Sequence, residues 1–182
     1  MTSIPTLKRL AVVPLGLILL AGLVGCTSRN PPSTWAKVEA PLVNDQTDDI
    51  KVDNGRLADG TYWATIAPVS GSHSIAFRIL KARFGATCLT WAKDYGTDDS
   101  CVNDYNVESY PEAYAALDRM ADVSVAKADM PGTSYSVNAK TLQKLLDGTT
   151  TDGPSGYTWT PFPFLVTVTN GWVTTARQYW VP

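Results

Sequence analysis

The chain has 182 residues, with 15 Lys and Arg against 17 Asp and Glu, one histidine and three cysteines. A net charge of −2 lacks the basic footprint that grips a phosphate backbone, which excludes a nucleic-acid partner. The lone histidine, His73, rules out a multi-histidine metal centre and leaves at most one histidine-assisted nucleophile.

Taken in chain order, the first segment is an address. Lys8 and Arg9 precede an apolar run over residues 10–23, and no acid occurs before Glu39. A basic start followed by a short apolar stretch is the layout of a secretory signal peptide. The run falls short of the roughly 20 apolar residues that a membrane span needs, and Pro14 and Gly16 interrupt it. Leu23-Val24-Gly25-Cys26 resembles the lipobox of bacterial lipoproteins: a branched apolar residue, two small enough for the peptidase, then cysteine. The resemblance implies that Cys26 carries a thioether-linked diacylglycerol and becomes the mature N-terminus. Two acyl chains suffice for stable anchoring, since each buried methylene contributes about 0.8 kcal/mol. An uncleaved signal anchor, or plain secretion with cleavage near Gly25, are the alternatives.

Without residues 1–25 the chain keeps 157 residues and carries 13 basic against 17 acidic side chains, a net −4. Anionic lipid repels such a surface weakly, so the lipid anchor has to supply the membrane affinity. Residues 26–57 read as the lipidated N-terminus and a tether, because residues 27–50 are rich in Pro, Ser, Thr, Asn and Asp without apolar period. Trp35, Val38 and Leu42 are the side chains there that could dock on the domain. Residues 58–182 read as one β-rich domain.

Within that domain strand signals dominate. Residues 61–67 carry Tyr62, Trp63 and Ile66 after an Asp59-Gly60 turn. Ile75, Phe77 and Ile79 alternate with Ala76 and Arg78, the pattern of a half-buried strand. Residues 85–101, rich in Gly, Thr and Asp, read as a loop. Shorter strands are expected over 102–108, 123–128 and 134–137. Two β-branched, aromatic-rich runs joined by Asn170-Gly171 predict a two-residue hairpin. One helix is expected over 139–147, capped by Asn138 and stopped by Gly148, and a second over 111–120 with Pro111 in its first turn. The fold class is α+β, mainly β: a curled antiparallel sheet, barrel-like or half-open, with one or two short helices.

With Cys26 lipidated, Cys88 and Cys101 remain in an oxidising compartment, 13 positions apart, and a disulfide between them is expected. No Cys-x-x-Cys occurs, so a redox or metal role for the pair is the lesser reading. His73 lies in a Ser-Gly-Ser-His turn without a Gly-x-Ser-x-Gly elbow, which suggests an exposed turn residue rather than a catalytic one. Asp98, Asp99 and Asp104 cluster near Cys101 without the spacing of a calcium loop, and read as solvated acids. No cofactor is expected. Six Trp and eight Tyr either fill a β core or line an exposed face; in the second case Trp63, Trp91 and Tyr105 are the binding candidates.

Asp59-Gly60-Thr61-Tyr62-Trp63, Asn103-Asp104-Tyr105 and the closing run from Asn170-Gly171-Trp172-Val173 to Gln178-Tyr179-Trp180-Val181-Pro182 resemble a group of small exported actinobacterial proteins. That group pairs a "DG-x-aromatic" opening strand with an "NDY" segment and a final "G-x-V … Q-x-W/Y-x-P" strand. The resemblance covers residues 58–182. It implies a fold and an envelope location, and it transfers no catalytic residue. The expectation is a membrane-anchored, extracytoplasmic, non-enzymatic binding module whose partner is an envelope protein or a wall component. The alternative is a wall-directed hydrolase working through unassigned Asp or Glu residues, with two acids converging in a cleft.

Overall fold

The computed structural model describes residues 35–42, 47–67, 74–96, 100–149 and 153–181. Cys26, the signal segment, His73, Asp98 and Asp99 lie outside the described residues. The domain is mainly β with two helices, as its sequence predicts. In chain order it runs β1 (Ala36–Glu39), β2 (Val52–Asp53), β3 (Arg56–Leu57), β4 (Gly60–Ala67), β5 (Ala76–Phe84), α1 (Gly85–Tyr95), β6 (Tyr105–Ala126), β7 (Thr133–Val137), α2 (Ala139–Leu146), β8 (Phe164–Thr169) and β9 (Trp172–Gln178).

Seven strands make one sheet in the order β1-β7-β6-β5-β4-β8-β9, while β2 and β3 form a separate hairpin. The sheet curls until β9 meets β6, with Ala116 opposite Trp172 and Ser124 opposite Arg177. That pairing is parallel, so the sheet is mixed rather than purely antiparallel, and the ring β6-β5-β4-β8-β9 closes on itself. Closure removes the free edges that these strands would expose in an open sheet.

The 22-residue strand β6 makes closure possible because it changes partners along its length. Its first half pairs with β5 from Tyr105 to Ala116, and its second half runs between β7 and β9. Two irregularities bend it, one where the β5 register shifts between Arg78 and Leu80 and one where the β9 register shifts between Leu117 and Asp122. Residues 111–120 therefore form strand and not the expected second helix. Pro111 falls at the first bend, where a missing N–H is tolerated. Ala113, Ala115 and Leu117 are buried while Tyr114 is exposed and Ala116 half-buried. This period of two outweighs the helical propensity of Glu, Ala and Leu.

The expected loop at 85–101 is likewise corrected, since residues 85–95 form α1. Its sequence hides it: the N-cap is Phe84, with no side-chain cap bond, and Cys88 is its one buried residue. The expected strand at 102–108 begins only at Tyr105, after a short helical turn over Val102–Asp104. The helix with the legible caps forms where expected. Asn138 Oδ1 accepts a hydrogen bond from Thr141 N at 2.8 Å, and Gly148 follows at a φ of +64°.

The stretch read as tether enters the fold earlier than its composition suggests. Residues 36–39 pair with Ser136–Thr133 of β7, Leu57 belongs to the main core, and Asp48 Oδ2 accepts from Thr61 N at 2.7 Å. Trp35 docks against the core while Leu42 stays exposed.

Alternation along the strands divides the apolar residues into two clusters. Tyr62, Phe77, Ile79, Phe164, Val166, Val123 and Val173 face the interior of the ring, where Leu142 and Leu145 of α2 join them. Trp63, Leu80, Ala82 and Phe84 point the other way. The chain end crosses this outer face, so that Val181 and Tyr179 cover it together with Phe162. Gln178 ties the end down: fully buried, it accepts from Ala126 N at 3.0 Å and donates to Thr160 O at 2.7 Å.

Candidate functional site

The three aromatics expected to form a platform do not share a surface. Trp63 is 1% exposed; its ring lies 4.7 Å from Phe84 and 5.9 Å from Tyr179, which leaves no face for a ligand. Tyr105, half-buried, lies nearly parallel to Phe84 at 6.5 Å. Trp91 sits on α1 beneath Arg83, whose guanidinium stands 4.3 Å from its ring centre. The pleat explains the separation. Phe84 pairs with Tyr105 on one face of the β5–β6 ribbon, whereas Arg83 pairs with Asn106 on the other. Arg83 donates to Asn106 Oδ1 at 3.3 Å and to Glu108 Oε2 at 3.2 Å, so its charge is taken up locally. Trp91, Arg83, Thr87, Thr90, Asp94 and Tyr95 line an open depression of about 500 Å³.

Cys88 and Cys101 form the expected disulfide, with Cα atoms 5.9 Å apart. Both cysteines are buried. The bond joins α1 to the turn that leads into β6, and Asn106 Nδ2 reinforces that turn by donating to Ser100 O at 3.0 Å. This is a structural staple.

The acids near the turns are engaged with the backbone. Asp59 Oδ1 accepts from Asn170 N at 2.7 Å and Asp118 Oδ1 from Met120 N at 2.7 Å. Asp48 and Asp59 flank Tyr62, whose pKa is raised first by burial and then by those two carboxylates. Among the described residues no three His, Cys, Asp or Glu side chains come together to hold a metal, and Asp104 is exposed.

Among the described residues, a second pocket lies where β1, α2 and the loop after α2 meet. It encloses about 330 Å³ and is lined by Trp35, Leu145, Tyr157 and Trp159 together with the loop from Gly153 to Gly156. Trp35 meets Tyr157 edge-on at 4.9 Å and Tyr135 at 6.3 Å, and Trp159 rests on Phe164 at 6.4 Å. Two polar atoms of the lining residues, Trp35 Nε1 and Tyr157 Oη, are buried without a hydrogen-bond partner. Each such orphan costs about 1–3 kcal/mol. Burial also pushes the Tyr157 pKa well above its ordinary value of 10.0. The backbone at Trp35 is left-handed, at a φ of +69°, held by a hydrogen bond of 2.6 Å from its N–H to Ser136 O. A non-glycine residue in that region carries strain of order 1–3 kcal/mol.

Lys127 borders the same place. Its Nζ would lie 3.8 Å from a Cβ built on Gly156, and it pairs with Asp129 at 3.2 Å. None of the described lining residues is an acid. Sequence reasoning assigned Trp35 to the tether as a docking residue, counted Trp159 only among the domain aromatics that either fill a core or line a face, and did not name Tyr157. The one available signal was Gly153-Pro154-Ser155-Gly156 running straight into Tyr157-Thr158-Trp159, a flexible backbone set beside large rings.

No family model matches this chain, and neither a curated protein nor a solved structure matches it.

Proposed function

We propose that the chain is an exported lipoprotein, held on the outer side of a membrane by diacylglycerol on Cys26, whose β domain is a non-enzymatic binding module. The lipobox-like Leu23-Val24-Gly25-Cys26 supports the anchor. Among the described residues no helix is long and apolar enough to cross a membrane.

The observation that carries the binding reading is the Trp35–Tyr157–Trp159 pocket. It joins three large aromatic side chains, a glycine-bearing loop and a strained backbone at Trp35 in one place, and such a concave, aromatic-lined site is a natural place for a ligand. Carboxylate-driven hydrolysis requires two acids facing one substrate, and the described lining of this pocket contributes none.

The test is a thermal-shift screen of the full chain in detergent against sugars, amino acids, short peptides and small cations. A ligand class that raises the Tm of the native protein but not of Gly153→Leu supports the reading, because binding to the folded state alone stabilises it by mass action. Gly153 suits the purpose: its φ is not left-handed, and a Cβ there meets Trp35 and Tyr157 at 3.3 Å. Release of fragments from wall polymer by the purified protein would contradict it and favour a hydrolase.

A further inference from the structure

We propose that Asn54 is a site of spontaneous covalent modification: the Gly55 backbone nitrogen displaces its side-chain amide and turns it into aspartate or isoaspartate, while the fold protects Asn170, which has the same C-terminal neighbour.

The chain holds two Asn-Gly pairs, Asn54-Gly55 and Asn170-Gly171. Glycine matters because it has no side chain to shield its nitrogen from the amide carbon. The deprotonated Gly55 nitrogen bonds to Asn54 Cγ, the Cγ–Nδ2 bond breaks, and the side-chain nitrogen leaves as ammonia. The product is a succinimide ring, which water then opens at either carbonyl. Opening at Cγ leaves aspartate. Opening at the original main-chain carbonyl leaves isoaspartate, whose backbone runs through Cβ. Water is the only co-reactant, and nothing is oxidised or reduced.

The two turns share a local geometry and differ in what surrounds them. Asn54 and Gly55 have φ of +49° and +75°, and Asn170 and Gly171 have +53° and +77°, the left-handed pair of a type I′ turn. Ring closure requires the asparagine to swing out of that conformation, so the rate follows how readily each turn opens. β2 and β3 make two cross-strand pairs, Val52 with Leu57 and Asp53 with Arg56, in a sheet of their own. A two-stranded hairpin by itself is marginal in water. Residues 51–56 are all exposed, and a Cβ built on Gly55 would meet no atom within 4 Å. The β8–β9 turn instead closes a hairpin inside the seven-stranded sheet, with β4 beside β8 and β6 beside β9. Asn170 N–H is held by Asp59 Oδ1 at 2.7 Å, and Gly171 is half-buried. Opening that turn disturbs strands of the ring, whereas opening the other costs little beyond its own two pairs.

The modification would reshape this corner of the domain. Leu57 is buried in the main core, so β3 stays anchored while the turn ahead of it opens. Isoaspartate adds a methylene to the main chain, which a two-residue turn cannot absorb in register. The bond from Ala58 N to Lys51 O at 2.9 Å is then expected to break. Either product adds a negative charge beside Asp53, in the depression of about 560 Å³ that Arg56 and Asp59 also line.

Peptide mapping of the full-length protein in detergent, aged at mildly alkaline pH, tests this. Tryptic cleavage after Lys51, Arg56, Lys144 and Arg177 puts the two asparagines in separate peptides, and the mass gained when an amide becomes an acid is read in each. The expected result in the folded protein is conversion at Asn54 at least about ten times faster than at Asn170, with isoaspartate among the products. In concentrated guanidinium chloride, where neither turn persists, the two rates should be nearly equal. Equal rates in the folded protein, or faster conversion at Asn170, overturn the proposal. So does an Asn54 that stays intact over a period in which the denatured chain converts. A difference that persists undiminished in denaturant also overturns it, because the fold is then not its cause.

Discussion

Tyr157 shows how one buried polar atom can weaken a fold that its ring helps to pack. Its hydroxyl is buried without a partner, so Tyr157→Phe removes a desolvation cost while keeping the ring against Trp35. We expect the variant to be more stable by about 1 kcal/mol in urea melts at neutral pH; a loss of stability would mean that the hydroxyl is hydrogen-bonded. The same residue sets an alkaline limit. Its pKa is raised by burial in the folded protein, so above pH 10 the unfolded chain loses this proton first and binds fewer protons than the folded state. The stability it contributes is therefore complete below about pH 10 and drains away as pH rises toward the folded value. Tyr179, raised by burial, and Tyr62, raised by burial and two carboxylates, act in the same direction. Denaturant melts between pH 9 and 11 should show a shallower decline in Tyr157→Phe than in the native protein. Parallel declines would contradict the burial of Tyr157. None of this was legible in the sequence, where Tyr157 is one aromatic among many and its partner Trp35 lies over a hundred positions away.

Elements with strong local signals were legible, and those fixed by distant contacts were not. The β8–β9 hairpin forms at Asn170-Gly171 because both residues take positive φ, +53° and +77°, as a type I′ turn requires. Gly171→Val has room for its side chain, since a Cβ at that position would meet only Arg56 Cδ, at 3.8 Å, so its cost is conformational. We expect a loss of about 1–3 kcal/mol, measured by chemical denaturation; an unchanged midpoint would mean that the turn is not left-handed. α2 was legible for the same kind of reason, through Asn138 and Gly148. α1 was not, since it lacks a capping side chain and an apolar stripe and owes its place to the Cys88–Cys101 bond and to Trp91 under Arg83. Cys88→Ser should cost about 3 kcal/mol in the chain-entropy model and raise amide exchange over residues 85–95 before the ring strands are affected. Uniform exchange across the domain would show that α1 is an integral part of the barrel core. The strand at 111–120 was hidden for a different reason. Glu112, Ala113, Ala115, Ala116 and Leu117 are good helix formers, and only the pairing of Ala115 with Phe77 and of Leu117 with Val173 makes them strand.

At the scale of the whole molecule, the proposed binding pocket and the proposed lipid anchor converge on the same end of the chain. Trp35 is a pocket wall, and only residues 27–34 separate it from Cys26. Extended at no more than about 3.6 Å per residue, those eight residues keep the pocket within about 3 nm of the proposed anchor. If Cys26 carries the proposed lipid, the domain would work close to the membrane surface rather than at the end of the long tether that composition alone suggests. The mainly-β class and the curl of the sheet were legible, but the parallel β6–β9 pairing that closes it was not, because such a contact leaves no trace in the alternation of either strand. A binding module held at a membrane depends first on its anchor, and intact-mass spectrometry of the protein extracted from cell membranes measures that directly. The predicted result is a chain beginning at Cys26, heavier than residues 26–182 by a diacylglyceryl group, with Cys88 and Cys101 oxidised. A mass equal to the unprocessed chain, or to a mature chain without lipid, would contradict it.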